Sequence, residues 1–134
     1  MCLAVYIASN QSLPLVEWKE ERPAFNIVRI TKGELAVKRQ FNNPIIVYAG
    51  SHEGCGCGFF KEGEVGEELT QVQENYNSLV SYLSGLVKAG VSIEIYSCWE
   101  GDQGAEPEYR QKLSLAALGA EDFEFKEKAY YEIT

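Results

Sequence analysis

Apolar and polar positions alternate along this chain in two rhythms, and the switches between them mark the elements. Cys2–Ala8 (Cys-Leu-Ala-Val-Tyr-Ile-Ala) is almost continuously apolar, with the larger Leu3, Val5 and Ile7 on one parity. That pattern predicts a central strand covered on both faces. Beyond a loop containing Pro14 and Pro23, Phe25–Ile30 reads as a second strand, and Thr31-x-x-Glu34 as a capping box opening a short helix to about Phe41. Pro44–Gly50 repeats the apolar strand pattern. Leu69, Val72, Tyr76, Leu79, Leu83 and Leu86 then fall at helical spacing, the strongest helix signal in the chain, ending at Gly90. Val91, Ile93 and Ile95 alternate with Ser92, Glu94 and Tyr96, the signature of a half-buried strand reaching Cys98-Trp99. Pro107 and Gly119 bracket a third helix, and Phe123, Phe125, Ala129, Tyr131 and Ile133 share one parity as a long strand or a hairpin turning near Glu127-Lys128.

The sum is an α/β domain spanning residues 1–134, with a mixed β-sheet, about three helices and one parallel strand-helix-strand crossover. The crossover is expected between Ile45 and Trp99, because strand, long helix and strand follow one another there. Parallel neighbours end on the same sheet edge, so the loops Ser51–Gly58 and Cys98–Asp102 should meet, and ligands of open α/β sheets bind at such edges.

Composition narrows the classes of function. With 46% hydrophobic and 24% charged residues, the 134-residue chain can bury a core of its own. Its net charge of −8 is uneven, about +1 over residues 1–60 and −9 over the remainder. Such a field repels phosphate backbones and anionic lipid, so neither nucleic acid nor membrane is an expected partner. No apolar run approaches a bilayer span, and Cys2–Ala8 lacks the basic flank of a signal peptide. A cytoplasmic protein with reduced thiols is the expectation; its small-molecule or protein partner is not encoded legibly, although an acidic interaction surface on the second half is one option.

The candidate chemistry is concentrated in Ser51-His-Glu-Gly-Cys-Gly-Cys-Gly58. His52-x-x-Cys55-x-Cys57 supplies one imidazole and two thiols, and Cys98 could complete a tetrahedral zinc site. The site predicted from spacing is therefore His52, Cys55, Cys57 and Cys98, with zinc as the cofactor. Two other readings stand beside it. Cys55 and Cys57 could form a reversible disulfide or supply a nucleophilic thiolate, although Glu53, Glu62 and Glu64 disfavour the thiolate. More plainly, the cysteines could be small buried residues in a glycine-rich turn. Cys2 could act as an N-terminal nucleophile once Met1 is removed, but it suits a core strand equally. Glu100 and Asp102 read as a solvated acidic loop. Gly50, Gly54, Gly56 and Gly58 match neither dinucleotide-binding nor phosphate-loop spacing.

The opening Met1–Ser9, the loop Gly50–Phe59 with its Gly-Cys-Gly-Cys-Gly-Phe core, and Cys98-Trp99 together resemble a group of short bacterial proteins that share a GSHEGCGCGF-like loop. The resemblance implies no activity, substrate or cofactor.

Overall fold

The computed structural model describes residues 2–134. Its frame is one mixed six-stranded sheet built from β1 (Leu3–Ser9), β2 (Asn26–Arg29), β3 (Ile45–Gly50), β4 (Ile93–Trp99), β5 (Tyr109–Leu113) and β6 (Ala129–Ile133). The spatial order is β2-β3-β1-β4-β6-β5, antiparallel throughout except for the parallel pair β5 and β6. The helical elements are a 3₁₀ segment Lys32–Gln40, a one-turn 3₁₀ segment Gly56–Phe59, α1 (Gly66–Ser84) and the short α2 (Leu115–Leu118).

β1 is apolar on both faces because both are covered. Leu3, Val5 and Ile7 join Val72, Tyr76, Leu79 and Leu83 of α1 and Leu118 of α2 in the larger core. Ala4 and Tyr6 pack on the opposite side with Tyr48, Tyr96, Cys98 and Val37 of the first 3₁₀ segment. That segment is held at its start as the capping box requires: the Glu34 carboxyl accepts from the Thr31 N–H at 2.8 Å.

The expected crossover between Ile45 and Trp99 is corrected in one respect. β3 and β4 run in the same direction and end on the same edge, but β1 lies between them, antiparallel to both. The one parallel pair is instead β5 and β6, with α2 in the connection. No third helix begins at Pro107. Tyr109–Lys112 carries no apolar stripe that a helix could bury and forms the exposed edge strand β5. Helix α1 stops at Ser84, ahead of Gly90, and its C-cap Gly85 stays right-handed.

β4 is buried on both faces rather than half-buried: Glu94 is 2% exposed and Tyr96 fully enclosed. Phe123 and Phe125 precede β6 without joining it, since Lys128 turns the chain at a φ of 51°. Their rings pack against Tyr76 and Tyr131 with centroids 5.3–5.9 Å apart.

Candidate functional site

β3 ends at Gly50 and delivers the chain into a loop that folds back on itself. The Ser51 hydroxyl is the hub: it donates to the Cys55 carbonyl at 2.6 Å and accepts from the backbone N–H groups of Glu53 and Gly58. Tyr48, on β3, accepts from the Gly56 N–H at 2.9 Å. Asn26 of β2 donates to the Ser51 carbonyl. These bonds satisfy backbone groups that a glycine-rich loop would otherwise leave unpaired away from water.

The loop leans directly on the start of β1. A Cβ at Gly56 would stand 2.2 Å from the Leu3 carbonyl oxygen, so only glycine permits this approach. The backbone of Cys2 is tied in turn to the end of β4, where the Glu100 N–H donates to the Cys2 carbonyl at 2.8 Å. The strand order β3-β1-β4 therefore brings the head of β1 to the edge where β3 and β4 finish.

The result is a cluster of three thiols. One sulfur from each of Cys2, Cys55 and Cys57 lies within 4.8 Å of the other two, and all three residues are half-buried. In a tetrahedral zinc site with Zn–S bonds of about 2.3 Å, ligand sulfurs stand about 3.8 Å apart. The cluster thus needs only a small closing movement to surround an ion. The thiols also interact among themselves: the Cys57 N–H donates to the Cys55 sulfur at 3.5 Å. Hydrogen bonding with Cys57 and its charge push the Cys2 thiol above its ordinary pKa, and burial does the same for Cys57. Metal-free, these two groups hold their protons more firmly than free cysteine.

Of the residues singled out from spacing, Cys55 and Cys57 enter this cluster, while His52 and Cys98 are placed elsewhere. Cys98 is fully buried on β4 in the core face opposite α1, and burial raises its thiol to about 12. His52 is held by Asn75 of α1. The Asn75 carbonyl oxygen accepts from the His52 backbone N–H at 3.1 Å, and its Nδ2 donates to the Gly58 carbonyl at 3.0 Å. Those two backbone partners fix the amide's orientation, so the 2.9 Å contact to His52 Nδ1 is made by an N–H donor. Nδ1 is then the acceptor, and the neutral ring carries its proton on Nε2. In that tautomer neither nitrogen offers a free lone pair to a metal.

Spacing alone missed Cys2 as a ligand because a parallel β3–β4 pair leaves no room for another strand. The apolar run placed Cys2 at the head of a strand inside the sheet, but that β3 and β4 flank this strand, and so that Cys2 meets the loop, is set by long-range pairing.

Comparison of the chain with protein-family models, with curated proteins and with solved structures finds no match in any of the three. No helix among the described residues is long and apolar enough to cross a membrane.

Proposed function

We propose that this protein binds a thiophilic metal ion, zinc foremost, through Cys2, Cys55 and Cys57. The observation that supports the reading is the convergence of three sulfurs within 4.8 Å from two distant parts of the chain. Three thiolates match the ligand preference of zinc, and a cation relieves their mutual repulsion while displacing their protons. Three protein ligands leave one coordination position open, as in zinc sites that exchange a ligand.

The test is elemental analysis of protein purified without tags or chelators, paired with a thiol count. About one equivalent of zinc, with three thiols masked until a chelator is added, is the expected result. Absence of metal with Cys2, Cys55 and Cys57 freely reactive under native conditions, and only the buried Cys98 requiring denaturation, would overturn it. A pair of thiols missing even after denaturation would favour a second reading, a reversible disulfide between Cys2 and a loop cysteine, for which the same proximity is the supporting observation.

A further inference from the structure

Cys57 belongs to two features at once. Besides its place among the three thiols, it lines a cavity of about 480 Å³ between the Ser51–Gly58 loop and the start of α1. The cavity wall also includes His52, Glu53, Glu64, Glu67 and Glu68. Three aspects of this wall select a ligand.

The first is soft coordination. A divalent ion held by three thiolates has a formal charge of −1 and an open position that favours a fourth sulfur. The second is negative charge: four carboxyl groups line the same space, and the neighbouring Glu68 pushes the Glu64 carboxyl above its ordinary pKa. Such a pair is relieved by an ammonium group and opposed by another anion. The third is His52, whose Asn75 contact leaves Nε2–H as a hydrogen-bond donor in the wall. A donor suits an electron-rich sulfur and does not compete for the metal.

Resting on the metal reading above, we infer that the cavity beside Cys57 is the binding site of a small aminothiol, whose sulfur completes the metal's coordination and whose ammonium group meets the Glu64/Glu68 wall. The step would be an addition at the open position, with the thiol S–H as the bond that breaks. The thiol releases its proton to solvent as the sulfur–metal bond forms, and nothing is oxidised or reduced.

The experiment uses the full chain loaded with cobalt(II) under anaerobic, low-salt conditions, titrated in parallel with cysteamine, 2-mercaptoethanol and mercaptoacetate. These probes share a thiol and differ in carrying a cationic, neutral or anionic tail. Sulfur-to-cobalt charge-transfer absorption before any addition reports the three-cysteine site, and its absence would overturn the metal reading itself. With that absorption present, cysteamine should intensify and shift it with a Kd about fivefold lower than that of mercaptoacetate, the scale expected of partly exposed ion pairs. The Glu64→Gln/Glu68→Gln double variant should retain the cobalt spectrum and lose the preference. Equal affinities for the three probes, an unchanged spectrum, or bleaching with release of cobalt would each overturn the inference while leaving the metal reading intact.

Discussion

The two ends of the β3-β1-β4 core hold polar groups of opposite character. At the end where β4 begins, the buried carboxyl of Glu94 accepts hydrogen bonds from the backbone and side-chain N–H groups of Asn42 and Asn43 and from the Tyr130 hydroxyl. At the other end, the sulfurs of Cys2, Cys55 and Cys57 have mainly one another. Sulfur is a weak hydrogen-bonding atom, so the second cluster stays chemically unsaturated where the first is full. A saturated polar cluster fixes structure; an unsaturated one beside a cavity has capacity left for a ligand.

The largest effect that would sharpen this contrast lies at the saturated end. Glu94→Ala strands two backbone N–H groups and the Tyr130 hydroxyl, and should cost about 3 kcal/mol in a denaturant titration, with or without metal. Cys57→Ser should behave differently. In metal-free protein it should change stability by less than about 1 kcal/mol. Zinc at a hundredfold excess over Kd should stabilise the parent by about 2.7 kcal/mol and leave the variant unmoved. Equal losses in both conditions would make the thiol cluster as structural as Glu94 and end the comparison. Gly56→Ala comes next: its Cβ collides with the Leu3 carbonyl, which should cost about 2 kcal/mol and lower metal content by moving Cys55 and Cys57 away from Cys2.

The smallest effect is a pH dependence that separates Cys98 from the other cysteines. Its thiol is neutral when protonated, and burial lifts its folded pKa to about 12 from 9.0. The contribution to stability is therefore complete below about pH 9 and is lost as pH rises from there towards 12. Cys98→Ala should flatten the fall in stability between pH 9 and 10, adding only an offset at lower pH. An unchanged slope would mean that the buried tyrosines carry the whole alkaline transition.

What could be read from the chain beforehand follows the strength of local signals. β1, β3 and α1 were legible because a doubly apolar run or a helical stripe leaves little choice of environment. β5 was not, since its exposed Tyr109–Lys112 has no apolar pattern and becomes a strand only by pairing with β6. The half-buried reading of β4 failed at Glu94, whose burial depends on donors from Asn42, Asn43 and Tyr130 that are remote in sequence. The candidate site was legible to the same degree. Cys55 and Cys57 were found from their spacing; Cys2 required the position of β1, a long-range property, and His52 was claimed by Asn75 through contacts that no spacing encodes.

The pairing of Leu3 with Trp99 has a kinetic consequence. On this side the central strand must wait for a partner 96 residues away (99 − 3), so this part of the sheet closes one of the largest loops in the protein and should close late in folding. An ion joining Cys2 to Cys55 and Cys57 would fasten the same head of β1 to the loop after β3, and only after the chain has brought the three thiols together. Metal should therefore lengthen the lifetime of the native state, slowing unfolding in stopped-flow experiments, while leaving the rate of refolding nearly unchanged.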